Sequence, residues 1–367
     1  MTRRILIVDG SSGGFGGVQR NICDVIGASP DSEFLVISLR ERVCCDRYRD
    51  RGAAVENVFF KSVKGKLKLC QIAIRFSPSL VHTHGPSAAL SGLIIKAILR
   101  IRHVHTLHGD PYRDKLKIAK NNLSQLSKLK LHIKLAQYHL SLATAEVFSV
   151  SANDADDYTR WPFNLLYQIG VLRNGVPRVL DHLPKAPISN EVVRFVVVAN
   201  HTEQKNISGL LRALALVTDQ DTRQWELHVY GGGALFDSHL ALLSKLGLKN
   251  VYLHGFSANV VQELTRAHYL VSSSYWEGLP YALLEGLSLG LPLVVTPCRG
   301  HCEIVEDGRN GFISAGFTDK DIADVFIKAL TACTAKKYDK LAARSALVFS
   351  DTFEIGKFNN RIRDIYA

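Results

Sequence analysis

The sequence predicts two doubly wound α/β domains in tandem, each a parallel sheet with helices on both faces. Three observations carry this. The 367 residues exceed what one hydrophobic core usually organises. Short β-branched apolar runs alternate with helix-length amphipathic segments from the start, the signature of parallel strands joined by crossover helices. The same alternation then begins afresh after a proline-containing break.

The first series opens with Ile5 to Val8, followed by the Gly-rich turn GSSGGFGGVQR and a helix, then Phe34 to Ser38, Leu80 to Thr83 and His103 to Leu107. EVFSVS and LLYQIGVLRNGV bring this domain to its end, and its expected span is 1–180. Within RVLDHLPKAPISN, two prolines and little periodicity read as a linker over 181–190. The second series runs from VVRFVVVAN through a helix at Leu210 to Val217 and the strands LHVYGGG and VYLHGF, giving a domain over 191–350. In 351–367, Phe353, Phe358, Ile362 and Tyr366 recur at helical spacing, a final helix expected to pack back on the first domain. Open parallel sheets bind ligands beyond the carboxyl ends of their strands, so two such sheets facing a central cleft would carry their chemistry just after the strands.

A hydrophobic content of 47% with 22% charged residues describes a globular chain, not a disordered one. The apolar stretches Ala88 to Ile95 and Leu287 to Val295 are too short or too interrupted to cross a bilayer. MTRRILIVDG lacks the long apolar core of a secretion signal, so a cytoplasmic protein is expected. Seven cysteines without paired CxxC spacing read as reduced thiols and not as a zinc site. The net charge of +11 points to an anionic partner: phosphate, nucleic acid or a membrane surface. No aromatic clusters interleave with the basic runs, which argues against nucleic acid.

Glu277 and Glu285 stand eight apart, a spacing that Glu33 and Glu41 share without any supporting context. The surroundings distinguish the first pair. A strand-like HYLVSSS ends in SYWEGLP, and Pro280 stands where a first helical turn tolerates a missing amide donor. Glu277 then lies on the loop before the helix, and Glu285 in its second turn, about 7–8 Å along the axis from Pro280. Both carboxylates could border one pocket with the first-turn amides between them, suited to sugar hydroxyls and phosphate oxygens. Taken without other motifs, a helix-entry residue and a solvated glutamate would serve as well.

The segment SYWEGLPYALLEGLSLGLPLVVTPCRGHCEIVEDGRNGFI resembles the E-x7-E region and following loop of retaining family 4 glycosyltransferases (glycosyl transferases group 1), which have the glycosyltransferase-B fold of two Rossmann-like domains. Further matching pieces occur in order: SGGFGGVQR, VHTLHG, FSVSAND, VLRNGVP, VANHTEQKN, HVYGGG and LHGF. The resemblance implies that Glu285 holds the ribose of a nucleotide-sugar. Glu277 would lie beside the transferred sugar with Gly278, Leu279, Pro280, Tyr281 and Ala282, and Lys205 would neutralise the leaving diphosphate. His108 would border acceptor and donor sugar, Gly16 and Gly17 would face the phosphates, and Gly255 and Phe256 join the donor-binding set. A fixed cation in a dry cleft can stabilise such developing charge by several kcal/mol. The family's arginine five residues before the lysine is replaced by Asn200, followed by His201, so a second cation would have to come from elsewhere, such as Arg20 or Arg299.

The implied donor is a UDP- or GDP-sugar used as substrate, with no cofactor and no metal. The four histidines His82, His84, His103 and His105 invite a metal hypothesis, which is discounted because the resembled fold works without a catalytic metal and no acidic cluster accompanies them; His82 and His84 are expected to pack or support and not to ligate. A nicotinamide-binding reading of the first Gly loop fails because VISLRER offers no acidic residue for a ribose. Related enzymes glycosylate lipid-linked acceptors, and the sequence has a basic amphipathic region to match. Arg113, Lys115, Lys117, Lys120, Lys128, Lys130 and Lys134 accompany Leu123, Leu126, Leu129, Ile133, Ala136 and Leu140 at helical spacing, with KSVKGKLK upstream. Two readings stay open: an apolar stripe packed on the first sheet, or a face that meets an anionic membrane from the cytoplasmic side. The expected activity is hexosyl transfer to a glycan or polyprenyl-linked acceptor in cell-surface polysaccharide synthesis (O-antigen, capsule or lipopolysaccharide). A sugar-nucleotide epimerase or hydrolase of the same fold is the alternative, and a basic nucleic-acid-binding protein stands behind both.

Overall fold

The computed structural model describes residues 2–11, 16–39, 43–109, 124–159, 167–178, 192–217, 224–257 and 259–367. Two compact units divide the chain: Met1–Asn174 with Phe358–Ala367, and Gly175–Lys357. The linker expected over 181–190 lies outside the described residues. The first unit gives way at Asn174, earlier than the expected residue 180, because Val176 bonds into the second unit. Its N–H donates to Phe353 O at 3.0 Å, and its carbonyl accepts from Ile355 N at 3.0 Å.

In the first unit, β1 (Arg3–Asp9), α1 (Gly17–Ala28), β2 (Ser32–Ser38), α2 (Val43–Arg49), β3 (Ala54–Asn57), α3 (Val63–Phe76) and β4 (Leu80–His84) follow in order. They continue with α4 (Pro86–Leu99), β5 (Arg102–Leu107), α5 (Gln125–Leu142), β6 (Glu146–Ser149), α6 (Ala152–Thr159) and β7 (Ile169–Val171). The strands form one parallel sheet in the order β3-β2-β1-β4-β5-β6-β7. Strands buried on both faces read as continuous apolar runs, and Ile5, Leu6, Ile7 and Val8 are all fully buried.

The second unit has β8 (Val192–Val198), α7 (Ile207–Leu214), β9 (Gln224–Tyr230), α8 (Phe236–Leu246), β10 (Val251–Gly255), α9 (Val260–Thr265), β11 (Tyr269–Ser272), α10 (Tyr281–Ser288), β12 (Leu293–Val295), α11 (Arg299–Ile304), β13 (Gly311–Ile313), α12 (Asp319–Ala332) and α13 (Ala335–Val348). Its parallel sheet runs β10-β9-β8-β11-β12-β13. Phe195, Leu227, Val229, Tyr269, Phe312 and Phe326 fill its core. Strand order reverses between β1 and β4 in one sheet and between β8 and β11 in the other, and at such a reversal the connections leave in opposite directions and open a crevice at the carboxyl ends.

The last helix, α14 (Ile355–Tyr366), starts in the second unit and ends in the first. Its final turns dock on the first sheet. Tyr366 Oη meets His82 Nδ1 at 2.6 Å, Arg363 Nε donates to Ala28 O at 3.0 Å, and Ile365 O accepts from Arg102 Nη2 at 2.7 Å.

The basic amphipathic region is only partly described: Arg113, Lys115, Lys117, Lys120 and Leu123 lie outside the described residues. The rest is α5, and its apolar stripe does not pack on the sheet. Leu126, Leu129, Ile133 and Leu140 are 62%, 57%, 49% and 56% exposed, and the helix buries Leu135, Tyr138 and Leu142 instead. The spacing found a helix but not its inward side, because two sets of apolar residues share the helical period. Among the described residues, no helix is long and apolar enough to cross a membrane.

Candidate functional site

The loops that leave β8 and β11 meet at the reversal of the second sheet. After β8 the chain passes Asn200 and His201 into a 3-10 turn, Glu203–Lys205. After β11 it runs through Ser273 and Ser274 to Glu277. The loops are tied along their backbones: Tyr275 N donates to Gln204 O at 2.9 Å, Ser273 Oγ to Lys205 O at 2.8 Å and Gln204 Nε2 to Trp276 O at 2.8 Å. Glu277 Oε1 then accepts from Lys205 Nζ at 2.5 Å and from Ser274 Oγ at 2.7 Å, and Gln204 Nε2 lies 3.4 Å from Oε2.

Burial alone would raise the Glu277 pKa, but the Lys205 ammonium, with help from His301 and the hydrogen bonds of Lys205 and Ser274, holds it below the usual carboxylate range. Glu277 is therefore an anion at neutral pH. An ammonium has three donors, so a Lys205 that gives one to Glu277 keeps others for a phosphate.

Behind this pair, α11 presses on the Glu277 loop. A Cβ on Gly300 would come within 2.3 Å of Gly278 O and 2.9 Å of Glu277 O, so only glycine permits this approach. The next residue, His301, is fully buried. Its Nδ1 donates to Thr296 O at 2.8 Å, and burial lowers its pKa to about 4 although Glu277 pulls the other way.

Of the remaining second-unit candidates, Leu279 and Tyr281 are buried, while Gly278, Pro280, Ala282 and Glu285 are half-buried. Pro280 caps α10, and Glu285 falls in its second turn, as the spacing predicts. Asn200 is exposed. His201 beside it is no substitute cation: it is buried, its Nδ1 pairs with His239 Nδ1 at 2.7 Å, and burial brings its pKa to about 4. Arg299 opens α11, one residue before Gly300. Gly255 ends β10, its carbonyl accepting from Gly231 N at 2.7 Å, and the Phe256 ring after it is 85% exposed.

In the first unit, Gly16 and Gly17 begin α1, and residues 12–15 of the Gly-rich turn lie outside the described residues. Gly16 N donates to Gln19 Oε1 at 3.0 Å; Gln19 Nε2 donates to Ser11 Oγ, which with Tyr48 Oη engages Asp9. Gly16 has an extended backbone (φ −151), so its conformation does not demand glycine. His108 follows β5, with Nε2 3.1 Å from His84 Nδ1. The register sets His82 opposite Val104 and His103 opposite Val81, so the two histidine pairs occupy opposite faces. Among the described residues no group of three or more metal-binding side chains comes together.

Sequence reasoning singled out Lys205 and Glu277 but missed Gln204, Ser273 and Ser274, which hold them, and the buried His301 behind them. The serine run directly after a strand at a reversal point was the available signal.

A family profile described as "Glycosyl transferases group 1" matches residues 181–346, and one described as "Glycosyltransferase Family 4" matches residues 29–178. An uncharacterized glycosyltransferase of Methanocaldococcus jannaschii is 29% identical over 65% of this chain and 61% of its own length. The UDP-Gal:alpha-D-GlcNAc-diphosphoundecaprenol alpha-1,3-galactosyltransferase of Escherichia coli is 22% identical over 83% of this chain and 79% of its own. The lipopolysaccharide 1,6-galactosyltransferase of Escherichia coli K12 is 24% identical over 84% of each. HepE of Anabaena, solved with UDP-glucose, superposes with a TM-score of 0.79 at 20% identity over 99% of both chains. With both sheets in place and the two profiles meeting at the division between the units, the chain belongs to the family 4 glycosyltransferases of the glycosyltransferase-B fold.

Proposed function

We propose that the protein transfers a hexose-type sugar, with retention at its anomeric carbon, from a UDP- or GDP-sugar to a glycan or polyprenyl-linked acceptor in cell-surface polysaccharide synthesis. The observation that carries this reading is the Lys205–Glu277 pair at the sheet reversal, buttressed by Gln204, Ser274 and Gly300. Lys205 serves the diphosphate, Glu277 and the amides after it serve the sugar, and Glu285 serves the ribose. Phe256 offers an exposed ring face to the base, and Arg299 supplies the second cation that Asn200 does not. His108 of the first unit meets sugar. In the reaction the bond from the anomeric carbon to the diphosphate oxygen breaks and the acceptor hydroxyl bonds on the same face. The acceptor proton passes to the departing phosphate, and the nucleoside diphosphate leaves. Fixed charge aimed at that leaving group stabilises the transition state more than the ground state.

The galactosyltransferase relatives, one named for a diphosphoundecaprenol-linked substrate and one for lipopolysaccharide, support a membrane-linked acceptor. A second observation agrees with it: the outward stripe of Leu126, Leu129, Ile133 and Leu140 on α5 runs beside the exposed Lys130 and Lys134. Apolar side chains among lysines suit peripheral docking on an anionic leaflet, here the inner face of the cytoplasmic membrane. The test is incubation with radiolabelled UDP-glucose, UDP-galactose and GDP-mannose and a bacterial lipid extract. Label in the lipid fraction is expected. Free sugar or an epimerised nucleotide instead would favour the hydrolase or epimerase reading, and tight oligonucleotide binding without any sugar-nucleotide binding would favour a nucleic-acid partner.

A further inference from the structure

Of the four buried histidines of the first sheet, His82 and His105 are paired at both ring nitrogens, whereas His84 and His103 each leave one ring nitrogen without a partner among the described residues. His82 meets Tyr366 Oη at 2.6 Å and Thr106 Oγ1 at 2.8 Å, and His105 meets Thr83 Oγ1 at 2.7 Å and Tyr138 Oη at 2.9 Å. His84 differs. Its Nδ1 lies 3.1 Å from His108 Nε2, while its Nε2 is buried with no partner among the described residues. The ring centres of His84 and His108 stand 5.4 Å apart with 29° between their planes. That separation is what a 3.1 Å contact plus two imidazole radii gives, so the rings meet end to end in a hydrogen bond and do not stack face to face.

Two neutral imidazoles can share this bond in two ways. If His108 Nε2–H donates, His84 carries its proton on Nε2, which leaves a buried N–H with nothing to accept it. If His84 Nδ1–H donates, the unpaired atom is a bare lone pair. Orphaned buried N–H groups are rarer than under-satisfied acceptors, so the second arrangement is favoured. Both rings are neutral: burial, reinforced by His82 and His108, takes His84 far below the ordinary histidine range, and burial lowers His108 to about 3. His84 is itself well fixed. It ends β4 in register with Asp9 and Thr106, and its carbonyl accepts from Gly10 N at 2.8 Å.

We propose that His84 is a positioning residue that fixes His108 in its Nδ1–H tautomer, so that His108 faces its ligand as a neutral hydrogen-bond donor and not as a base. Among the described residues His108 Nδ1 has no partner, which leaves that N–H for a sugar oxygen; the identity of this acceptor rests on the reading of the protein as a glycosyltransferase.

Imidazole 15N spectra of the ligand-free protein test the tautomer directly, with the His108 signals identified by their loss in His108→Gln. The expected spectrum has a protonated Nδ1 and a bare Nε2 on His108. Asparagine places an amide nitrogen near the position of Nδ1, so His84→Asn should keep this form, and His84→Ala should move His108 toward Nε2–H. A protonated His108 Nε2 in the native protein, or His108 signals unchanged by His84→Ala, would overturn the proposal. In the lipid-extract assay, loss of one oriented hydrogen bond predicts a fall in kcat of roughly 3–10-fold in His84→Ala. His84→Asn should stay close to the native rate, whereas equal losses in both variants would make His84 a packing residue. Absence of transfer by the native protein would count against the functional reading and leave the tautomer result standing.

Discussion

The Lys205 ammonium lies 2.5 Å from the Glu277 carboxylate, though 72 residues separate them in the chain. Each lies on the loop after a strand, β8 or β11, and the reversal of strand order between those strands makes the two loops neighbours. The pair is thus a consequence of topology, closed by Ser273, Ser274 and Gln204.

Removing one member should cost more than removing both. Glu277 is 9% and Lys205 22% exposed, so Lys205→Ala strands a largely buried anion. A loss of about 1–3 kcal/mol is expected, below that of a fully buried pair because water reaches the lysine. In urea titrations, Lys205→Ala combined with Glu277→Gln should recover part of that loss; strict additivity would contradict coupling between the two. The sign with pH follows from the depressed Glu277 pKa. Its contribution is complete above the ordinary carboxylate range and is lost as pH falls through the lowered folded value.

Acid should destabilise the protein well before its carboxylates titrate. Burial holds His82 near 3 and His103 and His301 near 4, all neutral in the fold. Unfolded histidine titrates near 6.5. The stability from keeping them neutral is therefore complete above about pH 6.5 and falls as the pH drops toward the folded values, with a slope approaching roughly 4 kcal/mol per pH unit for the three together. Urea midpoints should be level from pH 7.5 to 8.5 and fall steeply between pH 6.5 and 5; equal midpoints at pH 7.5 and 5.5 would rule this out.

Much of the architecture was legible because a parallel sheet buried on both faces writes itself as continuous β-branched runs, as in VVRFVVV. Lys205 and Glu277 were legible because they follow such runs. Gln204 and Ser274 were not: their roles come from where two distant loops cross, which the serine run after β11 marks but does not specify. The inward face of α5 was missed for another reason. Its exposed leucines share the period of the buried Leu135, Tyr138 and Leu142, and periodicity alone does not say which set is covered.

Gly300 should be intolerant of even a methyl group. A Cβ there meets Gly278 O at 2.3 Å, a backbone atom that cannot swing aside. Gly300→Ala should cost about 1–3 kcal/mol through overpacking and displace the Glu277 loop, weakening donor binding more than a matched Gly356→Ala, where nothing lies within 4 Å. Similar effects at the two positions would argue against α11 as the buttress.

If α5 meets a membrane, its exposed lysines and leucines should act together. Each lysine near an anionic surface contributes about 1 kcal/mol, so Lys130→Glu with Lys134→Glu should lower binding to phosphatidylglycerol vesicles by more than about tenfold, and Leu129→Ser with Ile133→Ser should weaken what remains in high salt. Unchanged sedimentation of all variants would remove α5 as a docking face.

The central claim is that the second unit holds a nucleotide-sugar through Lys205 and Glu285. Thermal shifts of the native protein, Lys205→Ala and Glu285→Ala against UDP-, GDP- and ADP-sugars test it most directly. A ligand at about 100 times its Kd stabilises by about 2.7 kcal/mol, so one nucleotide class should raise the Tm of the native protein by several degrees and that of each variant much less. Equal stabilisation of all three proteins by the best ligand would contradict the assignment.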